Sequence, residues 1–214
     1  MNYDIIKLRL RLLMEQTGGV ILKKVLVLLA KGFEEIEAVT VIDILRRAHV
    51  KVHICSIDKE FVEGSHGITI KSDVRLEYID INKDIYDLVY LPGGMPGAAN
   101  LRDDERVIEL LKKYNGENVM LSAICAAPIV LSEAGLLKDK EATSFPGFKD
   151  VIDCNKYLEE VTVTSGNVIT SRGPATAMEL GYTLLEKLGL ASEAHDLRED
   201  MLYNFLLEKQ GKAK

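Results

Sequence analysis

The sequence contains no tryptophan, and aromatic residues make up only 6% of its 214 positions. Its core must therefore be built from aliphatic side chains. Cysteine is scarce: Cys55, Cys125 and Cys154 are the only three. They are too few and too scattered for a disulfide framework, and no C-x-x-C pair or His/Cys cluster signals a metal. Basic residues are in deficit, 27 Lys and Arg against 33 Asp and Glu, for a net charge of −6. That disfavours nucleic acid as the main partner, because phosphate binding rests on clustered Lys and Arg. No apolar run approaches the roughly 20 residues of a membrane helix. With 47% hydrophobic and 28% charged residues, the chain has enough apolar material for a core, which excludes general disorder. The expectation is a reduced, cytoplasmic, soluble protein without membrane or nucleic-acid partners.

The first segment, Met1 to Gln16, mixes Ile5, Ile6, Leu8, Leu10, Leu12 and Leu13 with Lys7, Arg9 and Arg11. These charges interrupt the apolar stretch a signal peptide needs. An amphipathic membrane-surface helix is one reading. The preferred one is that Gly18-Gly19 reflects a purine-rich ribosome-binding sequence and Leu22 a TTG start codon. Residues 1–22 are then a non-native or disordered extension, and 23–214 form a single domain. No function is assigned to the extension.

From Lys23 the pattern becomes regular. Lys24 to Ala30 is a continuous apolar run, as in a strand buried on both faces. Gly32 breaks the chain, and a helical period follows from Glu34 to Arg47, acids first and arginines last, as the helix dipole favours. Val50 to Ile57 reads as a second strand. Phe61-Val62 and Ile68 to Ile70 read as a hairpin around Gly64 and Gly67. Asp87 to Leu91 is another buried strand, stopped by Pro92-Gly93-Gly94. A helix is expected from Asp103 to Tyr114, a strand over Asn118 to Ile124 and a helix from Ala126 to Ala134. Strands at Val161–Ser165 and Val168–Thr170 flank a Gly166-Asn167 turn. Helices near Ala175–Leu188 and Ser192–Lys209 close the chain, the last with Ala194, Leu197, Met201, Leu202 and Phe205 on one face. Strands alternating with helices imply one α/β domain, a parallel sheet with helices on both faces.

In such sheets ligands bind beyond the carboxyl ends of the strands. Cys125 stands at one of them, between an apolar strand and a helix, flanked by Ala123, Ile124, Ala126 and Ala127. Small flanking residues are what a nucleophile elbow requires, and a helix N-terminus favours thiolate. The same residue also fits a small buried hydrophobe. Cys55, inside a strand, and Cys154, in a polar loop, read as structural. Glu34, Glu35 and Glu37 crowd the turn after the first strand, and dipole-complementing surface roles account for two of them. Glu37 is the one placed to turn toward the sheet edge. Beside a thiolate its pKa would rise, leaving it able to donate a hydrogen bond or move a proton. Gly93 and Gly94 allow close backbone approach and can aim N–H groups at an oxyanion, or form an ordinary turn. Of the histidines, His49 and His53 read as structural, His66 lies in a loop and His195 on the last helix.

Four stretches together resemble the ThiJ/PfpI family, on the branch of Parkinson disease protein seven and its bacterial relatives. They are Leu29-Ala30-Lys31-Gly32-Phe33-Glu34-Glu35-Ile36-Glu37-Ala38-Val39, Leu91-Pro92-Gly93-Gly94, Ala123-Ile124-Cys125-Ala126-Ala127-Pro128 and Thr170-Ser171-Arg172-Gly173-Pro174. The resemblance implies a flavodoxin-like three-layer α/β sandwich, usually a homodimer, with neither cofactor nor metal. It implies that Cys125 is the reactive, oxidation-prone nucleophile and Glu37 the buried acid bonded to it. Gly94 and Ala126 would supply backbone N–H groups, with Gly93, Phe145 and Pro174 as pocket residues. Phe145 and Phe148 are also open to a reading as core packing. The implied activity is a glyoxalase or protein deglycase acting on methylglyoxal, glyoxal or their adducts. A redox-sensing thiol protein or chaperone is the alternative. Ala126 occupies the position where protease-like members carry His, which disfavours a peptidase or amidase. Phe145 occupies the position of a His in animal members, so no proton shuttle is expected there.

Overall fold

In the computed structural model, which describes residues 22–211, the apolar run after Lys23 forms β1 (Lys24–Leu29), with five of its six residues buried. The expectation for residues 1–22 falls, apart from Leu22, outside the described residues. Next come α1 (Glu35–Arg47), β2 (Lys51–Ser56) and an antiparallel hairpin of β3 (Phe61–Glu63) and β4 (Thr69–Lys71). The chain continues through β5 (Val74–Arg75), β6 (Leu88–Leu91), α2 (Gly97–Arg102), α3 (Glu105–Gly116), β7 (Met120–Ile124) and α4 (Pro128–Glu133). Short strands β8 (Glu141–Ala142) and β9 (Lys156–Tyr157) precede β10 (Thr162–Ser165), β11 (Val168–Ser171), α5 (Ala177–Lys187), α6 (Ala191–Asp200) and α7 (Tyr203–Lys209).

Seven strands make the main sheet, in the order β10–β11–β7–β6–β1–β2–β5. All neighbours are parallel except β10 against β11. Buried on both faces, β6 and β1 after Lys24 are apolar throughout rather than alternating. Leu26, Leu28, Val89 and Leu121 pack under Leu101, Leu110 and Val130 of α2, α3 and α4. Val25, Val27, Leu88 and Tyr90 face Val41 and Leu45 of α1 and Leu180 and Leu184 of α5. The result is a flavodoxin-like three-layer sandwich, as expected. From β1 the chain moves outward to β2, then returns to β6 on the other side of β1. That reversal opens a crevice over the carboxyl ends of β1 and β6, the usual ligand position in open α/β sheets.

Gly97–Arg102, to which the sequence reading assigns no element, is a helix that buries Ala98 and Leu101 against the sheet. The closing helix is two helices, broken at Leu202, whose φ is +58°. The break lets Met201 meet the Tyr182 hydroxyl and sets the Tyr203 ring 5.1 Å from that of Tyr182. Ala194 is buried as expected, but Leu202 and Phe205 end up exposed rather than on its face.

Candidate active site

Cys125 directly follows β7. Its N–H donates to the Ser171 carbonyl at 3.0 Å, which ties it to the end of β11. Its φ of +61° lies in the left-handed region, a conformation that costs a non-glycine residue about 1–2 kcal/mol. Ala126 and Ala127 are buried beneath this turn, where larger side chains would clash as in a nucleophile elbow. The helix expected from Ala126 begins instead at Pro128 and has six residues. The N–H groups that reach the sulfur are those of Ala126 and Gly94.

Glu37 comes from the first turn of α1 and is completely buried. Its Oε2 accepts the Gly93 N–H at 2.8 Å, and the carboxyl is hydrogen-bonded with the Cys125 thiol. Oε1 has no nitrogen or oxygen partner. The helix start is pinned by Glu34 N–H donating to Gly93 O at 2.9 Å and by the Tyr90 hydroxyl donating to the Glu37 carbonyl at 3.0 Å. Glycine is required at the strand end between them. A Cβ on Gly93 would stand 2.8 Å from both Cys125 Cβ and Glu37 Oε2. One on Gly94, whose φ is +89°, would press on Glu34 N and lie 2.6 Å from Gly32 O.

Burial raises the Glu37 carboxyl to about 7; the Gly93 N–H and the Cys125 bond oppose this, and the charge on Glu34 adds to it. Burial, followed by the charge and hydrogen bond of Glu37, pushes the Cys125 thiol up to about 12, against the pull of the Ala126 and Gly94 N–H groups. The sequence suggested the opposite direction for the thiol. The reason for the reversal is local: the sulfur is walled in beside a carboxylate, and the next helix is short and starts late. Carboxyl and thiol therefore titrate as a pair.

Glu35 is also corrected. It is buried rather than a surface acid, and it binds the loop between β3 and β4. Oε1 accepts N–H groups of His66 at 2.7 Å and Ile68 at 3.3 Å. Oε2 meets the Ser65 hydroxyl at 3.2 Å and His66 Nδ1 at 3.0 Å. Nothing local in sequence announces these partners, which lie 30 to 33 residues away. Glu34, Glu35 and His66 bring three possible metal-ligand atoms within 4.8 Å of one another, but those of Glu35 and His66 already serve as this clamp.

Phe145 is half-exposed, so it is not a core residue, and its N–H donates to the Cys125 carbonyl at 2.9 Å. Its ring lies 3.6 Å from where a Gly173 Cβ would be, one residue before the partly buried Pro174. Phe148 instead packs partly on the core and lines a hollow of about 520 Å³ with Met95, Ile129 and Val151. A larger hollow, about 810 Å³, lies beyond β1 and β2 around Lys31, Asp58 and Arg106. No cysteine lines it. Cys55 is buried, Cys154 partly buried, and both are free thiols. Among the described residues no helix is long and apolar enough to cross a membrane.

A buried carboxyl from the first turn of α1, two glycines from the end of β6 and a cysteine on a left-handed turn after β7 define an α/β sandwich with an elbow-mounted thiol. The chain belongs to the DJ-1/PfpI family, whose pattern matches residues 23–187. It is 40% identical over 185 residues to a Parkinson disease protein 7 homolog of Danio rerio, spanning 84% of this chain and 97% of that one. A Pyrococcus abyssi protein named a deglycase is 32% identical over 153 residues, spanning 71% of this chain and 90% of that one. Among solved structures, oxidized DJ-1 of Toxoplasma gondii superposes with a TM-score of 0.80 at 37% identity, covering 84% of this chain and 98% of that chain. DJ-1beta of Drosophila melanogaster gives 0.80 at 34%, covering 85% and 98%.

Proposed function

We propose that this chain is a cofactor-free, cysteine-dependent glyoxalase or deglycase acting on methylglyoxal, glyoxal or their early adducts on proteins, with a stress-protective role. The observation that carries the reading is the half-buried Cys125, whose thiol is hydrogen-bonded to the buried Glu37 and met by the N–H groups of Gly94 and Ala126. The deglycase name of the Pyrococcus relative supports it. Glu37 takes the thiol proton, and the sulfur attacks the aldehyde carbon. The carbonyl electron pair moves to oxygen, which the two N–H groups stabilise. Glu37 returns its proton to that oxygen, giving a hemithioacetal. Again a carboxylate, Glu37 removes the proton from the sulfur-bearing carbon and delivers it to the adjacent one while the hydroxyl proton passes to the neighbouring ketone oxygen, so that the first carbon becomes a thioester carbonyl and the second a carbinol. Water then cleaves the S–C bond, releasing the hydroxy acid and restoring the thiol. A carboxyl near 7 suits both halves of this transfer at neutral pH.

The reading includes a cytoplasmic homodimer. Free thiols suit a reducing compartment, and α1 leaves Ile36 and Val39 exposed for a second copy to cover. Lactate formation from methylglyoxal without glutathione tests the enzyme reading. Turnover by wild type and none by Cys125→Ala is the expected result; no wild-type turnover overturns it. A second reading, redox sensor or chaperone, rests on the same accessible thiol. Peroxide would oxidise it to sulfenic and then sulfinic acid, capped by the protonated Glu37 carboxyl. Client protection that survives Cys125→Ala while turnover is lost would separate a chaperone role from the chemistry.

A further inference from the structure

Glu34 and Glu35, at the start of α1, face Ser65 and His66 in the loop between β3 and β4, and the chemistry at Cys125 uses none of the four. Ser65 Oγ lies 3.3 Å from Glu34 Oε2 and 3.2 Å from Glu35 Oε2. His66 Nδ1 lies 3.5 Å and 3.0 Å from the same two oxygens, and 3.1 Å from Ser65 Oγ. The hydroxyl and the ring nitrogen each have at most one proton to give, yet each meets both carboxylate oxygens and the other. Lone pairs must therefore face one another within the set, whichever tautomer the ring takes. Among the described residues His66 is the only basic side chain paired with either glutamate, and both carboxylates are largely withdrawn from water, with side chains 12% and 6% exposed. Two negative charges thus converge on too few protons.

The spacing suits a small cation. Four ligand atoms set tetrahedrally at about 2.1 Å from a zinc ion stand about 3.4 Å apart. Here the hydroxyl and the ring nitrogen stand 3.0 to 3.5 Å from the carboxylate oxygens and from each other. One oxygen of each glutamate and a ring nitrogen all lie within 4.8 Å of one another. Glu35 Oε1 is held by the N–H groups of His66 at 2.7 Å and Ile68 at 3.3 Å, which aims Oε2 into the set. Outer bonds of this kind orient metal-binding carboxylates. The loop itself is fixed from elsewhere: Ser65 N–H donates to Phe33 O and Gly32 N–H to Glu63 O, both at 2.8 Å. The His66 side chain stays 70% exposed, which leaves a path from solvent. An imidazole nitrogen among carboxylates selects zinc or its first-row neighbours, whereas calcium takes about six to eight oxygens at longer distances.

We propose that Glu34, Glu35 and His66, with Ser65 Oγ at the fourth corner, form a binding site for a divalent ion of the zinc class, which clips the β3–β4 loop to the first turn of α1. The hydrogen-bonded clamp is the metal-free form of the same atoms. On binding, any proton on Nδ1 passes to buffer, the lone pairs turn to the ion and Glu35 Oε1 keeps its two N–H groups. The family resemblance implies no metal, and the chemistry proposed at Cys125 needs none. The ion would steady the turn from which Glu37 reaches the sulfur while touching neither residue, so the site stands whether or not the chain turns over methylglyoxal.

Zinc also binds thiols, so the test uses the full chain carrying Cys125→Ala, stripped with EDTA, desalted and titrated with zinc chloride in a calorimeter. One equivalent per chain is expected. Adding His66→Gln should weaken binding at least about 10²-fold, more than the loss of an outer-shell partner costs, and Glu34→Gln at least about tenfold. Cobalt in place of zinc should give the d–d absorption of nitrogen and oxygen ligands with no thiolate charge-transfer band. Zinc should also slow amide exchange at His66 and Ile68, the groups held on Glu35. Should either variant lose its fold, the cobalt spectrum and this exchange, both measured on the Cys125→Ala chain, decide alone. No binding below about 1 mM zinc overturns the proposal. So does an affinity unchanged in both variants, or exchange at His66 and Ile68 that zinc does not slow. A thiolate band also overturns it, assigning the ion to Cys55 or Cys154.

Discussion

Glu35 and Glu37 lie two residues apart in the same turn of α1, both buried, with the exposed Ile36 between them. At 3.6 residues per turn they point about 200° apart, Glu35 toward the loop between β3 and β4, Glu37 toward Gly93 and Cys125. Glu35 receives two N–H groups, a hydroxyl and an imidazole. Burial alone would push it up, but the His66 side chain and the backbone N–H groups of Glu35, His66 and Ile68 outweigh that and hold it at about 2. Glu37 receives one N–H and a thiol, and rests at about 7. Glu37 lies deeper than Glu35 and has fewer donors, and the two differences together set one carboxyl at about 7 and the other at about 2.

The largest effect that could break this comparison is on turnover. Glu37→Gln keeps an acceptor for the Gly93 N–H but carries no proton, so kcat should fall about 10²- to 10⁴-fold. Glu35→Gln should leave kcat within about threefold, since its partners lie in the loop rather than at the sulfur. Steady-state assays with methylglyoxal decide this. Equal losses in the two variants would show that the clamp and the site act as one unit.

Stability against pH sharpens it next. The Glu37 pKa rises from 4.5 unfolded to about 7 folded, so between these values the folded state binds more protons and stability falls as pH rises. At 1.36 kcal/mol per unit, the loss across this window is about 3 kcal/mol. Urea unfolding on either side of it should show that slope in wild type and lose it in Glu37→Gln, leaving the variant the more stable protein in alkali.

Glu35 should behave in the opposite sense, with a smaller effect. Its folded pKa is depressed from 4.5 to about 2, so its contribution is complete above the unfolded value and is lost as pH falls through the folded one. At neutral pH Glu35→Gln should cost about 2 kcal/mol, the loss of hydrogen bonds to a charged group. Amide exchange at His66 and Ile68 should accelerate while Gly93 and Gly94 stay protected.

Much of this was legible before the structure. The buried strands announce themselves as unbroken apolar runs because both faces of the sheet are covered. Cys125 stood out through the small residues around it, as the geometry of a tight turn after a strand demands. Glu37 was separable from its neighbours by helical phase. Glu35 was not, because its donors come from Ser65 to Ile68, and a periodicity carries no information about partners 30 residues away. The break at Leu202 was hidden for a related reason: Leu197, Met201 and Phe205 keep a helical spacing, and the packing of Met201 and Tyr203 on Tyr182 overrides it. The direction of the thiol shift was misread because α4 was expected to begin at the cysteine. Small residues mark the turn without showing that three of them precede the helix.

The smallest effect belongs to His66, the exposed member of the Glu35 clamp. Its pKa is raised, first by the hydrogen bond to Glu35 and then by the charges of Glu34 and Glu35. The contribution of its charged form is therefore present below the ordinary histidine value and lost as pH rises through the raised one. Thermal unfolding should find wild type slightly more stable than His66→Gln near about pH 5 and indistinguishable from it near about pH 9, with added salt shrinking the difference. The His66 and Ile68 backbone N–H groups remain on Glu35 in the variant, which is why the effect is small. A difference that persisted in alkali would mean that the neutral ring, rather than its charge, closes the clamp. Turnover should not change at all, because no atom of His66 bonds to Glu37 or Cys125.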